Sequence, residues 1–273
     1  MSVPCITRRD FLAGSAALAS AAASIPGAAY AAGKRSATDI VVLGKTGLKL
    51  SRLGMGVGTN SGNVQFSLGK DAFRNLVRAA FDRGIRYFDC AQSYKTFDWV
   101  ADALTGLPRE EIFLLSKIGG NPEKPSEVID KQLRTLRTDY IDCMLVHCAV
   151  TATWTTERSR LMAAIDEAKA AGKIRSKGVS CHSLPALRVA AQSDWVDVNL
   201  VRVNPQARHT DGETPKWNAP GKPIESVLEQ MAIMKQNNHG VIGMKLIGNG
   251  DFTDPADREK SIRFAMSRRE IDA

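Results

Sequence analysis

Three apolar runs in this chain end in side chains that can exchange protons. Ile85 to Asp89 ends in Asp89, Ile112 to Lys117 in Lys117, and Ile141 to His147 in His147. Lys117 follows Asp89 by 28 positions and His147 follows Lys117 by 30, about one strand-helix unit each time. A fourth group, Tyr94, lies in the segment Ala91-Gln92-Ser93-Tyr94 just beyond Asp89. An ammonium beside a phenol stabilises the phenolate and lowers its pKa from about 10, and Lys117 is available for that purpose. Together the four suggest proton transfer to a carbonyl: Asp89 holds Lys117, Tyr94 donates the proton, and a neutral His147 orients the carbonyl oxygen. Each has a plainer role when taken alone, as a helix cap, a lysine reaching for water, or a hydrogen-bonded core histidine. Their recurrence at equivalent points of adjacent units favours a joint role, because burying an Asp and a Lys is costly unless they pair.

These side chains need elements to carry them. From Val41 onward, apolar runs alternate with amphipathic stretches, which is the pattern of strand-helix units around a parallel sheet. Predicted strands cover 53–57, 85–89, 112–117, 141–147, 176–180, 196–203 and 240–246, each rich in Val, Ile, Leu, Met or aromatics. Predicted helices fall at 72–83, 97–105, 126–137, 155–171, 185–192, 224–237 and 257–267. Gly84 and Gly172 stand where two of these helices need a left-handed cap. Seven such pairs with no composition break favour a (β/α)8 TIM barrel over a doubly wound sheet, since no Gly-rich dinucleotide fingerprint follows an early strand. Gly54-Met55-Gly56-Val57-Gly58 has the glycines without the following helix, and reads as a first strand that lets a backbone or ligand approach closely. The eighth strand should begin near Ile271-Asp272-Ala273, where the sequence stops. The expected architecture is therefore a barrel truncated around its eighth strand. In a barrel, chemistry sits at the carboxyl ends of the strands. Alternation puts Asp89 on the face of Tyr87 and His147 on the face of Leu145 and Cys143, so an inward face would bring the ionisable groups to one mouth.

The first residues are a different object. Paired Arg8-Arg9 precede a stretch without a charge from Phe11 to Ala32, and Ala29-Tyr30-Ala31 is a small-x-small cleavage site. This resembles a twin-arginine export signal over residues 1–31, followed by a linker at 32–38 and the barrel at 39–273. The resemblance implies a partnership with the twin-arginine export machinery and a periplasmic or otherwise extracytoplasmic address, reached in the folded state. Lys and Arg number 37 against 29 Asp and Glu, a formal charge of +8, but they are scattered. No basic run interleaved with aromatics appears, which argues against a nucleic-acid partner. Cys90, Cys143, Cys148 and Cys181 lie in apolar strand-like runs, where buried free thiols are the expected state.

The motifs, taken in order, resemble the aldo-keto reductase family across 42–273. They are Leu43-Gly44-Lys45-Thr46-Gly47-Leu48, Gly84-Ile85-Arg86-Tyr87-Phe88-Asp89 with Tyr94, Leu115-Ser116-Lys117, and Leu136-Arg137-Thr138-Asp139-Tyr140-Ile141-Asp142 leading to His147. Gly172-Lys173-Ile174-Arg175 and Gly178-Val179-Ser180 extend the match. The resemblance implies an eight-stranded α/β barrel that uses NADP(H) or NAD(H) on a small-molecule carbonyl substrate, with Asp89, Tyr94, Lys117 and His147 as its catalytic tetrad. It also implies cofactor contacts at Gly58, Ser180, Cys181 and Lys245, the last a phosphate contact beside Gly248-Asn249-Gly250. This half of the match is poorer. Cys181 stands where the family has Asn, Leu200 where a Gln is common, and Met244 where an aromatic often stacks on the nicotinamide.

Residues 204–223 hold Trp217, His209 and several prolines without periodicity, as expected for a substrate-side lid with Trp217 as its apolar contact. Three rival readings accompany the oxidoreductase: a catalytically idle exported barrel retained for ligand binding or assembly, an incomplete fragment of the enzyme, and a metal or redox site formed if Cys143, His147 and Cys181 converge.

Overall fold

The computed structural model describes residues 35–221 and 223–273. The predicted signal at 1–31 and most of the linker lie outside the described residues. The chain opens with an antiparallel hairpin of β1 (Ile40–Val42) and β2 (Lys49–Ser51), an element the apolar-run pattern did not predict. Seven strands then form a parallel sheet in strict chain order. They are β3 (Gly54–Gly56), β4 (Tyr87–Asp89), β5 (Phe113–Gly119), β6 (Ile141–Ala149), β7 (Ile174–Cys181), β8 (Val198–Arg202) and β9 (Gly240–Met244). The helices are α1 (Asn63–Phe66), α2 (Lys70–Asp82), α3 (Phe97–Leu104), α4 (Pro125–Leu136), α5 (Trp154–Glu157), α6 (Ser159–Ala170), α7 (Leu184–Gln192), α8 (Glu225–Gln236) and α9 (Pro255–Ser267). Each predicted strand and helix has its counterpart, with one helix divided into α5 and α6 at Arg158.

Two buried layers hold the sheet. One lies between strands and helices, where Phe88, Leu114, Met144, Val146, Val179 and Val201 meet helix residues such as Phe73, Ile129, Ile165 and Met231. The other fills the concave side. Tyr87, Phe113, Leu115, Cys143, Leu145, Val198, Leu200 and Ile242 come together there, so β4 and β9 share one interior and the sheet must curl. Leu43 and Leu50 of the hairpin enter the same cluster. The hairpin touches both flanks of the curl: Ser51 Oγ accepts from Arg86 N at 2.8 Å and Lys45 N donates to the Asn238 carbonyl at 2.7 Å. It plugs the amino end of the interior, and the carboxyl end stays free to carry a site.

Beyond β9, Asp272 N donates to the Val241 carbonyl at 2.9 Å and Gly243 N to the Ala273 carbonyl at 2.8 Å. The last residues thus lie along β9, where the eighth strand was predicted to begin.

β5 and β6 run two residues past Lys117 and His147, because Gly119 pairs with His147 and Ala149 with Cys181. The register of β6 against β7 shifts between Val146 and Ala149. Val146 and Ala149 both face the helices. Strict alternation allows one residue of opposite facing between two such positions, so the pair His147-Cys148 is a bulge. Cys148 adopts a left-handed φ of 60°. Its N–H is satisfied by Ser180 Oγ at 3.0 Å.

Candidate active site

Alternation and the inner cluster bring Asp89, Lys117 and His147 to the same concave mouth. Lys117, at 1% side-chain exposure, forms an ion pair with Asp89, at 15%. Its Nζ also donates to the Cys90 carbonyl at 2.9 Å and to Tyr94 Oη at 3.4 Å. Tyr87, two residues before Asp89 on the same face, donates from its Oη to Asp89 Oδ2 at 3.2 Å. The Asp89 carboxylate is therefore held from both sides, and its other partner is an ammonium whose remaining protons have acceptors.

Tyr94 is carried by the loop after β4. That loop is fastened by Cys90 N to the Leu115 carbonyl at 2.9 Å and by Thr96 Oγ1 to the Val57 carbonyl at 2.9 Å. The Tyr94 ring packs on the position of Gly58: a Cβ there would lie 2.0 Å from Cε2 and 2.2 Å from Cζ. Lys117 Nζ stands 5.1 Å from the ring centroid. The imidazole of His147 meets the Tyr94 ring edge-on at 5.9 Å between centroids.

The electrostatics correct one expectation. Burial raises the Tyr94 phenol above its ordinary pKa, and Lys117 offsets this without reversing it. Tyr94 is therefore a neutral hydrogen donor at neutral pH, polarised by the ammonium but not ionised by it. For Lys117, burial disfavours the charge, yet Asp89 and then Tyr94 outweigh it and hold the ammonium above the usual lysine range. His147 is pushed down to about 3 by burial, with Lys117 and Lys245 adding repulsion. It is neutral, as the sequence reading required, and its ring makes no hydrogen bond among the described residues.

The residues grouped as cofactor contacts separate. Gly58 gives room to Tyr94. Ser180 is fully buried, and its hydroxyl oxygen holds the β6 bulge. Cys181 is buried in the helix-facing layer, because alternation turns it away from Ser180. Leu200 lies in the interior cluster and Met244 packs at its edge. Lys245, half-buried with a left-handed φ of 57°, is the one that reaches the mouth. Burial lowers its pKa, Arg202 repels it, and it in turn depresses His147 and His182. Its ammonium has no ion pair or hydrogen bond among the described residues. A half-buried cation with no direct ion pair, whose attraction to Asp211 is outweighed by burial and by Arg202, fits an anionic group such as a dinucleotide phosphate, so the site suits that class of cofactor at this one point.

Sequence reasoning missed Tyr87, Cys148, His182, Arg202 and Asp211. Arg202 and Asp211 form a pair at 2% and 0% exposure, with Arg202 Nε 2.8 Å from Asp211 Oδ1. Arg202 also donates to the carbonyls of His182 at 2.6 Å and Trp217 at 3.0 Å. It thereby ties the irregular segment after β8 to the mouth. Trp217 itself is 60% exposed. Cys143 faces the interior and Cys181 the helices, on opposite sides of the sheet, so the convergence proposed for a metal or redox site fails.

Comparison with known proteins agrees with this geometry. The model of the aldo/keto reductase family matches residues 52–272. The chain is 26% identical over 192 residues to the glycerol 2-dehydrogenase (NADP(+)) of Hypocrea jecorina, covering 59% of this chain and 58% of that protein. It is 29% identical over 148 residues to the methylglyoxal reductase DkgB of Salmonella typhi, covering 51% and 55%. The chain thus matches little more than half the length of these relatives. Among solved structures, an aldo-keto reductase from Bacillus halodurans in its holo form superposes with a TM-score of 0.61 at 22% identity, covering 78% of this chain and 68% of that one. An aldo/keto reductase from Klebsiella pneumoniae in complex with NADP and acetate gives 0.56 at 22%, covering 79% and 71%. The seven-stranded curled sheet matches the (β/α)8 fold of these structures over seven of its eight strands.

Proposed function

This chain belongs to the aldo/keto reductase family, and from that premise we propose that it is an oxidoreductase that reduces a small aldehyde or ketone, or oxidises the alcohol. The observation that carries the reading is the Asp89–Lys117–Tyr94 hydrogen-bonded line facing an unpartnered His147. A carbonyl oxygen between Tyr94 Oη and the His147 ring would accept hydrogen bonds from both. NADP(H) or NAD(H), when bound, supplies the hydride. As negative charge develops on the oxygen, Tyr94 transfers its phenolic proton. The phenolate left behind is stabilised by Lys117, whose own charge is fixed by Asp89 and Tyr87 behind it. Lys245 would meet a cofactor phosphate.

One observation favours a second reading, a barrel that binds small molecules without efficient turnover. Ser180, Cys181, Leu200 and Met244 offer few amide or aromatic partners to orient a nicotinamide, and misorientation costs rate more than affinity. Fluorescence titration of the purified chain with NADPH, followed by NADPH consumption against a panel of short aldehydes, separates the two. Saturable binding with turnover supports the reductase; binding without turnover across the panel supports the idle barrel.

We further propose that residues 1–31 direct folded chain to the twin-arginine export machinery and so to the periplasm or an equivalent compartment. Arg8-Arg9 ahead of the uncharged Phe11 to Ala32 stretch supports this. Replacing both arginines with lysine should trap the protein in the cytoplasm, and unchanged fractionation would remove the proposal.

A further inference from the structure

The β6 bulge turns two residues toward the mouth, and the mechanism uses only His147. The second, Cys148, places its Sγ 3.3 Å from His182 Nδ1. The His182 ring meets the His147 ring edge-on at 6.4 Å, and His147 meets Tyr94 in the same manner. A thiol therefore lies at the end of a row of rings that starts at the proposed proton donor. Cys90, Cys143 and Cys181 are buried, whereas Cys148 is partly exposed. The backbone that presents it is in the left-handed region, which a residue with a Cβ adopts only when its surroundings enforce it. Here the enforcing contact is Ser180 Oγ on the Cys148 N–H.

We propose that Cys148 and His182 form a nucleophilic site that captures aldehydes as hemithioacetals beside the reduction centre. The Sγ–C bond forms as the carbonyl π bond breaks; the thiol proton passes to His182 Nδ1 and from there to the former carbonyl oxygen. No oxidant or reductant is consumed, and the addition is reversible. His182 is 8% exposed, and its Nε2 has no hydrogen bond among the described residues, so the ring is free to relay a proton. Burial, reinforced by Arg202 and Lys245, keeps this imidazole neutral and weakens it as a base, so it takes the proton only as the Sγ–C bond forms. Burial also keeps the resting thiol protonated, although Arg202 and Lys245 pull in the opposite direction. The thiol therefore needs its base at the moment of attack, and the same two cations favour the developing alkoxide. This capture does not depend on the reductase reading, because it involves neither the cofactor nor Tyr94.

The test uses the full chain without cofactor and [1-13C]propionaldehyde as the probe. A protein-bound sp3 carbon resonance present in the wild type should be lost in Cys148→Ser, and His182→Asn should slow its appearance at least about tenfold. In the unmodified protein, iodoacetamide should label Cys148 at least about tenfold faster than Cys90, Cys143 and Cys181, and excess propionaldehyde should slow the Cys148 reaction and not those of the other three. This competition needs no variant, so a folding defect in either substitution does not obscure it. Persistence of the resonance in Cys148→Ser would overturn the proposal. Labelling of Cys148 at the rate of the buried thiols, or indifferent to the aldehyde, would do so as well.

Discussion

The Lys117 ammonium stands 3.4 Å from the Tyr94 phenol oxygen while its ion pair with Asp89 keeps it from moving away. Lys117 polarises the phenol, but burial keeps the proton on it. A proton donor needs this balance, since a phenolate at rest has nothing to give. The ammonium is useful only once the proton leaves, when it faces a new negative charge at close range in a site of low dielectric.

Tyr94→Phe removes the transferable proton while keeping the ring against Gly58 and His147. Turnover should fall by at least about 10²-fold, the usual scale for loss of a general acid. Thermal stability should change little, because the phenol oxygen has a single long contact. Steady-state kinetics beside a melting curve check this, and retained activity would sink the assignment.

Lys117→Met should fail in both respects. It leaves Asp89 and the Cys90 carbonyl without their ammonium partner in a buried place, at a cost of about 3 kcal/mol. Denaturant unfolding should show that loss, and turnover should drop as far as in Tyr94→Phe. A variant with full stability would mean that the ion pair contributes less than its burial implies.

Much of this arrangement was legible in the sequence because one rule, inward alternation along parallel strands, fixes both the interior packing and the direction of Asp89, Lys117 and His147. Tyr87 obeys the same rule and could have been found from its place two residues before Asp89. Cys148 was not legible, since alternation turns it outward and only the bulge, visible through Ala149 facing the helices, brings it to the mouth. Cys181 misled for the opposite reason: a position matched by resemblance was assigned to the mouth although alternation from Ser180 turns it to the helices. Arg202 and Asp211 escaped because a charged pair across an irregular segment has no periodicity to betray it. The hairpin was missed because its strands are three residues each, too short to show a pattern.

Gly58→Ala tests the packing behind Tyr94. The new methyl would overlap the phenol ring, so the ring or the fastened loop must shift. Turnover should fall about as far as in Tyr94→Phe, with a stability loss of about 1–3 kcal/mol from overpacking. A crystal structure with Tyr94 unmoved would contradict this account.

His147 should remain neutral far below the range where an exposed histidine titrates. With a folded pKa of about 3 against 6.5, the unfolded chain gains a proton first as acid is added. The contribution to stability is therefore complete above pH 6.5 and is lost as pH falls from there toward 3. Imidazole resonances followed by NMR should show no His147 titration between pH 5 and 8, and activity should have no acid limb from this residue in that window. A midpoint near 6.5 would show that the ring is solvated.

Asp211 titrates in the opposite sense. Burial raises its carboxyl to about 6, with Arg202 holding it back from going further. One of its oxygens, Oδ2, is buried without a hydrogen-bond partner. Between its unfolded value near 3.8 and about 6, the folded protein keeps a proton that the unfolded chain releases, so this group's contribution is full below pH 3.8 and is lost as pH rises through 6. The ion pair with Arg202 behaves the other way: it exists above pH 6 and loses its charge below. Arg202 is also what holds the Trp217 carbonyl. Acidification should therefore loosen the segment after β8 even as protonation of Asp211 favours the folded state. Hydrogen exchange corrected for intrinsic rates should show weaker protection in 203–221 at pH 5 than at pH 7. Asp211→Asn should abolish that difference, because a neutral side chain has no charge to lose, and an unchanged pH dependence in this variant would assign the loosening to another group.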